Sequence, residues 1–190
     1  FHADDAAATR KLEGFLAMPW KSERKLVEET LNKRPGTEYV DMLFLGKFYG
    51  YGAKLPSPQN GRYYSVTGKF NNETAEITVW FYEEQLAGGR ASFFNTEQEI
   101  IGKFEENKKN LIAKYGNPSS EGGKGLEAWA RWLFNDYNYI DLYIRKLGYE
   151  NNAALPAEKK KPFNLTLEYK NYELMNKVNP APSTPTTSDF

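Results

Sequence analysis

The chain lacks cysteine, and it has one histidine and no long apolar run. Without cysteine it can form no disulfide bond and no thiol nucleophile. The histidine is His2, in a segment without a strong apolar pattern, so nothing supports a histidine general base or a histidine-rich metal site. No stretch approaches the roughly 20 apolar residues that cross a bilayer, and we predict no membrane span.

The chain also lacks an excess of charge of either sign. Its 190 residues include 25 Lys and Arg and 25 Asp and Glu. A balanced chain has no overall attraction to nucleic acid or to an anionic membrane, so we predict no nucleic-acid partner. The length is sufficient for one domain with its own apolar core.

An amphipathic helix over residues 97–115 is the clearest predicted element. Apolar residues recur there at three- and four-residue steps, and lysines and glutamates occupy the other side. Thr96 and Glu99 are expected to form a capping box at its start, and Gly116 is expected to end it. A shorter amphipathic helix is predicted within residues 22–35.

Segments with alternating polarity predict antiparallel strands. Asn71-Asn72, Gly88-Gly89 and residues 135–138 are expected to be turns, and residues 119–125 a mobile glycine-rich loop. The predicted strands cover residues 42–51, 64–70, 75–82, 90–94, 126–134, 139–147 and 163–170.

The order of elements predicts an α+β fold with two halves, at about 14–94 and 95–178. Each half has a helix followed by antiparallel strands, and the hairpins exclude regular βαβ alternation. We expect the helices to pack on one side of one antiparallel sheet. Residues 1–13 are predicted to be a flexible segment, and residues 179–190, rich in proline, serine and threonine, a disordered tail.

Four short motifs stand out, at residues 14–20, 45–51, 114–118 and 165–169. They resemble a group of uncharacterised secreted or lipid-anchored proteins of Bacteroides-type bacteria. The repeated order of helix and strands is also similar to the beta-lactamase-inhibitor-protein-like architecture, which small outer-membrane-assembly lipoproteins share. The resemblance implies a periplasmic or cell-envelope location and a binding role, and it supplies no catalytic residue. The start at Phe1 instead of Met indicates that an upstream segment was cleaved or left out, and a removed signal peptide is one explanation.

Aromatic residues make up 15% of the chain, including 13 Tyr and 4 Trp. Five of them fall opposite the apolar faces of their strands, so they lie on the far side of the sheet if helices cover the near side. Tyr and Trp concentrate at interfaces, which predicts a partner-binding face. Alternatively, the rings stabilise the sheet as cross-strand pairs or are buried by the other half. The five residues are Trp80, Tyr82, Trp129, Tyr139 and Tyr143.

The function that these patterns favour is non-catalytic recognition of another protein, or of a second copy of the chain, through the aromatic face. Carbohydrate binding by ring stacking is the first alternative. Carboxylate-dependent hydrolysis is the second, and it requires Glu83, Asp136, Asp141 or Glu168 to meet in one pocket. We predict no cofactor, no metal site and no catalytic residue.

Overall fold

An eight-stranded antiparallel sheet forms the centre of the molecule. The computed structural model describes residues 10–39, 61–146 and 163–178. The helices among them are α1 (Arg24–Asn32), α2 (Glu97–Tyr115), α3 (Tyr172–Val178) and a short 3-10 helix (Gly125–Glu127). The strands are β1 (Gly14–Phe15), β2 (Met18–Pro19), β3 (Glu38–Tyr39), β4 (Arg62–Phe70), β5 (Glu73–Tyr82), β6 (Gln85–Asn95), β7 (Ser120–Gly122), β8 (Trp129–Leu133), β9 (Tyr139–Lys146) and β10 (Phe163–Lys170).

The strand order confirms the predicted α+β class and its two halves. It is β3-β4-β5-β6-β10-β9-β8-β7, so each half is a helix followed by four strands in chain order. The last strands of the halves, β6 and β10, pair antiparallel in the middle, with Phe163 opposite Asn95 and Lys170 opposite Gly88. This pairing makes one continuous sheet, while β1 and β2 form a separate small hairpin.

Helices α1 and α2 cover one face of the sheet because both have an apolar stripe to bury. Their buried residues join the inward side chains of the central strands in one apolar core, and a fully buried aliphatic side chain stabilises the fold by roughly 1.5 to 3 kcal/mol. The helical members are Val27, Leu31, Ile100, Phe104 and Leu111, and they meet Val66, Ile77, Val79, Ala91, Leu142, Leu165 and Leu167.

The two turns that join β4, β5 and β6 are both two residues long. Asn71 and Asn72 have φ of 48° and 65°, which confirms the predicted first hairpin. The next turn is Glu83-Glu84, with φ of 47° and 64°, and β6 continues through Gly88-Gly89. The predicted turn at Gly88-Gly89 is therefore wrong, and the strand predicted over 90–94 is confirmed but begins earlier, at Gln85.

Close approach of other elements explains why β6 contains two adjacent glycines. A Cβ atom at Gly89 would overlap the ring of Phe15 from the β1–β2 hairpin, and one at Gly88 would lie 2.9 Å from Sδ of Met175. Glycine inside a strand often marks such a contact instead of a turn. The pair lets a hairpin and a helix pack on opposite sides of one strand.

Both ends of α2 agree with the prediction, but the expected capping box does not form. The side chain of Thr96 makes no capping hydrogen bond. The backbone amides of Glu99 and Ile100 instead donate to the Thr96 carbonyl, at 3.1 and 3.0 Å. Gly116 has φ of 86° and ends the helix as predicted. The Thr96 backbone carbonyl thus accepts the hydrogen bond from the Glu99 amide that the Thr96 side chain was expected to accept.

The N-terminal boundary of the folded domain lies earlier than predicted. Leu12 is buried, and its carbonyl accepts hydrogen bonds from Trp20 Nε1 at 2.7 Å and from Asn138 Nδ2 at 3.0 Å. Residues 10–13 therefore belong to the domain and not to a flexible segment. Residues 1–9, the predicted strand 42–51 and the predicted tail 179–190 lie outside the described residues.

A short helix, α3, follows β10 and was not predicted. Its start is capped by Asn171, whose Oδ1 accepts a hydrogen bond from the Leu174 amide at 2.9 Å. Leu174 and Val178 pack with Ala87 on the sheet face opposite α1 and α2. The two predicted helices thus share one side of the sheet as expected, while the unpredicted α3 packs on the other side.

The stretch predicted as a mobile loop contains an ordered edge strand. Ser120–Gly122 pairs with β8, and the Ser119 Oγ accepts a hydrogen bond from the Leu133 amide at 2.8 Å. The second hairpin is confirmed, although β8 begins only at Trp129 because the chain first forms the 3-10 helix. The last strand, Phe163–Lys170, agrees with the prediction.

Candidate functional site

The sheet face opposite α1 and α2 exposes an aromatic and charged strip on β8 and β9. Alternation along these strands turns Ala130, Trp132, Ile140 and Leu142 toward the core and the intervening residues toward this second face. The register makes three cross-strand pairs: Trp129 with Tyr143, Arg131 with Asp141, and Leu133 with Tyr139. We call these six residues the β8–β9 strip.

An ion pair fixes the middle of the strip. Arg131 Nε donates to Asp141 Oδ1 at 2.6 Å and Nη2 donates to Oδ2 at 2.9 Å, a two-bond arrangement that holds the guanidinium in one plane. The hydrogen bond to Asp141 raises the pKa of Arg131 above its ordinary value. The same guanidinium lies 4.6 Å from the centre of the Tyr139 ring, within cation–π distance. The strip is therefore preorganised around Arg131.

Beside this pair, a hollow of about 380 Å³ opens at the Trp129 end of the strip. Trp129 is 42% exposed, and Tyr143 opposite it is partly buried. The hollow brings together two aromatic rings, a cation, a carboxylate and a hydroxyl. Its lining residues are Ser120, Trp129, Ala130, Arg131, Asp141, Leu142 and Tyr143.

A row of charges continues from the strip toward the middle of the sheet. Asp141 is the register partner of Glu168 on β10, which is in turn the partner of Arg90 on β6. Side-chain exposure falls along this row, from 47% at Arg131 and 16% at Asp141 to 10% at Glu168 and 7% at Arg90. The second face is thus open at β8 and β9 and closed at its centre.

Glu168 is the most connected carboxylate of this row. Lys170 Nζ lies 2.9 Å from it, the Tyr143 hydroxyl donates to Oε1 at 2.7 Å, and Arg90 Nη1 lies at 3.8 Å. Burial raises the pKa of Glu168, but Lys170, the Tyr143 hydrogen bond and Arg90 together outweigh it and the pKa is lowered. Burial, with the nearby Glu168 charge, raises the pKa of Tyr143. Glu168 therefore stays ionised and anchors the row.

Trp80 lies on the predicted face but is only 5% exposed. Arg90 lies 5.2 Å from the centre of its ring, and Glu76 nearby is also buried. Burial raises the pKa of Glu76 although Arg90 opposes the shift. Trp80 is therefore buried and does not belong to an accessible binding face.

The other predicted site residues divide between the strip and α3. Tyr139 and Tyr143 belong to the strip and are partly buried, and Lys170 lies 5.4 Å from the Tyr139 ring centre. Tyr82 instead packs beside α3, with Lys177 at 5.6 Å from its ring centre. The structure thus brings together Trp129, Tyr139 and Tyr143, and it does not bring Trp80 or Tyr82 to them.

Three exposed apolar residues, Leu133 in the strip and Tyr137 and Tyr172 beside it, were missed by the sequence argument. Leu133 is 50% exposed, Tyr137 66% and Tyr172 49%, and the two tyrosine rings are 5.9 Å apart. Tyr137 lies in the β8–β9 turn and Tyr172 at the start of α3, so neither has a strand pattern to show its direction. Asn138 holds both segments together through its hydrogen bond from the Tyr172 amide at 2.9 Å.

The four carboxylates named for hydrolysis have separate structural environments. Glu83 lies in the β5–β6 turn, and Asp136 accepts a hydrogen bond from the Asn138 amide within the β8–β9 turn. Asp141 and Glu168 are neighbours, but each is bound to a cation, and the lowered pKa of Glu168 does not suit a general acid. The hollow beside Trp129 is lined by Asp141 alone of the four.

The described residues provide no group of three or more His, Cys, Asp or Glu side chains placed to hold a metal ion. Over the same ranges, no helix combines the length and apolar character needed to cross a bilayer. No known protein family, curated protein or solved structure matches the chain in comparisons of sequence and fold.

Proposed function

We propose that this chain is a non-catalytic binding protein of the bacterial cell envelope that recognises another protein through the β8–β9 strip. The observation that carries the proposal is the exposed Trp129 beside a fixed Arg131–Asp141 pair, one strand in from the β7 edge of the sheet. Trp, Tyr and Arg are the residues that most often dominate the binding energy of protein interfaces. The envelope location rests on the sequence resemblance.

Preorganisation supports binding through this strip. The ring of Tyr139 is held between Arg131 at 4.6 Å and Lys170 at 5.4 Å, and the Tyr143 hydroxyl is held by Glu168 at 2.7 Å. Side chains that are already ordered lose little conformational entropy when a partner docks. Leu133 ends the strip with an exposed apolar side chain, and Tyr137 extends the apolar area beyond it.

The test combines site-specific crosslinking with a matched control. A photoreactive benzoylphenylalanine replaces Trp129 in one variant and Tyr63 in another, because both residues lie on the second face and are exposed to 42% and 40%. We expect a discrete crosslinked protein in the source cells from position 129 and none from position 63. Crosslinking of the same protein from both positions, or from neither, contradicts recognition through the strip.

Affinity then separates a specific partner from an adventitious one. The captured protein, once purified, is expected to bind the Trp129→Ala variant at least about tenfold more weakly than the unchanged chain. The Tyr63→Ala variant is expected to bind within about twofold of it, since truncation outside an interface centre costs little. Equal weakening by the two substitutions assigns the effect to the sheet in general and contradicts the proposal.

Carbohydrate binding is the second candidate, and the hollow of about 380 Å³ favours it. The hollow places the rings of Trp129 and Tyr143 beside a guanidinium and a carboxylate. The rings can stack on a sugar, and the charged groups can form hydrogen bonds with its hydroxyls. A glycan-array signal that Trp129→Ala abolishes would support this candidate. A protein captured at position 129 with no glycan signal supports protein recognition instead.

A further inference from the structure

A second cavity lies on the other side of the sheet from the β8–β9 strip. It has a volume of about 540 Å³, within the roughly 300 to 1,000 Å³ typical of small-molecule pockets. Helix α2 forms one wall and the β1–β2 hairpin another, while Leu167 and Tyr169 of β10 contribute its floor. We call this cavity the α2–hairpin cleft.

The charge of the cleft has one sign. Among the described residues that line it, the charged ones are the cations Arg34 and Lys114, and none is a carboxylate. Neutral donors surround them, and its apolar area comes from aromatic and leucine side chains. The neutral polar residues are Asn71, Asn107, Asn110, Tyr115 and Tyr169, and the apolar ones include Phe15, Phe70, Leu111 and Leu167.

Arg34 has an unsatisfied hydrogen-bond donor at this position. One terminal nitrogen donates to the Lys69 carbonyl at 3.0 Å, which fixes the guanidinium. Its Nε is buried and has no hydrogen-bond partner among the described residues. A buried unpaired donor on a cation is costly, and a carboxylate is the group that best satisfies a guanidinium. The side chain is therefore fixed in place, and because Nε itself has almost no accessible surface, only the exposed part of Arg34 can meet a ligand.

The hairpin that closes the cleft adopts a costly turn. Leu16 and Ala17 have φ of 49° and 61°, a left-handed conformation that residues other than glycine, asparagine and aspartate seldom adopt. Phe15, just before them, packs against the ring of Tyr169 at 5.2 Å between centroids. Burial raises the pKa of Tyr169, so its hydroxyl remains a neutral donor. Positive φ at both positions is the geometry that a two-residue hairpin turn requires, so the turn fixes the wall of the cleft.

We infer that the α2–hairpin cleft binds a small organic carboxylate with an apolar body, with its carboxylate at Arg34 and its apolar part against the partly exposed Leu16 and Tyr115. The charge of the lining, the fixed Arg34 side chain and the cavity volume together carry this inference. It does not depend on the partner of the β8–β9 strip, since the two sites lie on opposite faces of the sheet.

Phenylbutyrate, titrated into the full chain and followed by calorimetry and by backbone amide NMR, is the probe for this site. We expect saturable binding, with shifts at the hairpin and along α2. The neutral analogue phenylbutyramide is expected to bind at least about tenfold more weakly, because a charge-assisted hydrogen bond is lost. No binding of phenylbutyrate below about 10 mM, or equal binding of the amide, overturns the inference.

Substitutions locate the binding. Arg34→Gln is expected to weaken phenylbutyrate binding about tenfold or more. Arg62→Gln is the matched control, since Arg62 is exposed, pairs with Glu84 at 3.8 Å and does not line the cleft, and it is expected to leave affinity unchanged. Equal affinities for the two variants contradict binding at Arg34.

A second variant covers the case in which Arg34→Gln fails to fold. Asn110 is exposed on α2 at the cleft, so Asn110→Trp places a bulky ring there without disturbing the core. We expect this variant to keep its melting temperature and to lose phenylbutyrate binding about tenfold or more, as blocking removes buried contact area. Full affinity in a folded Asn110→Trp variant overturns the inference.

Discussion

Trp129 and Trp80 lie on the same face of one sheet but in opposite surroundings. Trp129, on β8, is 42% exposed beside a hollow, whereas Trp80, on β5, is 5% exposed with Arg90 at 5.2 Å from its ring centre. Both alternate with apolar residues in the same way, so their strand patterns are equivalent. The difference shows that alternation determines the face to which a side chain points, while the neighbouring elements determine whether that face is open.

The exposure of the charged side chains on this face falls in the same direction, from β8 toward the centre of the sheet. On β8 and β9, Arg131 and Asp141 form a partly exposed pair, and at the centre Glu168 and Arg90 are nearly buried. Water screens the outer pair, but the inner groups depend on each other for solvation. We therefore expect the inner region to determine stability and the outer region to determine binding.

The largest expected effect is that of removing the buried ring. Trp80→Ala is expected to lower the free energy of unfolding by about 3 to 5 kcal/mol, because it leaves a cavity and removes the packing partner of Arg90. Urea unfolding followed by circular dichroism measures the change. Trp80→Phe is the control and should cost clearly less, and a loss below about 1 kcal/mol for the alanine variant would break the contrast with Trp129.

The next effect concerns the inner charge row and depends on pH. Glu168→Gln is expected to cost about 3 kcal/mol near pH 7, since Lys170 and Arg90 lose their buried counter-charge. The folded pKa of Glu168 lies below its ordinary value of 4.5, so its stabilisation is present above that value and is lost as pH falls through the folded pKa. The difference between variant and unchanged chain should therefore shrink in acid.

Unfolding curves over a pH series check this dependence. Glu84→Gln is the matched control, because Glu84 lies in an exposed turn at 3.3 Å from Arg24 and should contribute about 0 to 1 kcal/mol. A Glu168→Gln effect that stays constant from neutral to acid pH would show that the carboxylate charge is not what stabilises the row.

A smaller effect is expected from the exposed ion pair. A double-mutant cycle of Arg131→Ala and Asp141→Ala should give a coupling of about 0.5 to 1 kcal/mol, because the geometry is bidentate but Arg131 is half exposed. The coupling should decrease at high salt. A coupling as large as the Glu168 effect would mean that the outer and inner regions do not differ in screening.

The smallest effect on stability is expected at the proposed binding residue itself. Trp129→Ala should change the free energy of unfolding by less than about 0.5 kcal/mol, since much of the ring already contacts water. Its fluorescence should be strongly quenched by acrylamide, whereas that of Trp80 should not, as single-tryptophan variants can show. Equal quenching of the two rings would remove the distinction on which the binding proposal depends.

Particular elements show where sequence reasoning succeeded and where it could not. Helix α2, the Asn71-Asn72 hairpin and strand β10 agree with their patterns because each is specified by residues close together in the chain. The prediction of a turn at Gly88-Gly89 was wrong because these glycines make room for the Phe15 ring and the Met175 side chain. Both residues are distant in sequence, so no local pattern shows the contact. Helix α3 is short, and its only local signal is the Asn171 cap.

The candidate sites divide in the same way. Trp129, Tyr139 and Tyr143 could be named in advance because β8 and β9 alternate cleanly. The exposure of Leu133 and Tyr137 could not, since it depends on the turn between the strands. The α2–hairpin cleft could not be predicted either, because Arg34, Leu111 and Leu167 come from three separate parts of the chain.

The amino-acid sequence by itself determined the α+β class, the two helix-then-strand halves and the side of each strand that is apolar, because periodicity and turn residues act over a few positions. Only the tertiary structure decided which rings meet water and which groups share a charge row. Burial and charge pairing depend on the β6–β10 junction and on the packing of α3 and the hairpin, which bring together residues that no local pattern connects.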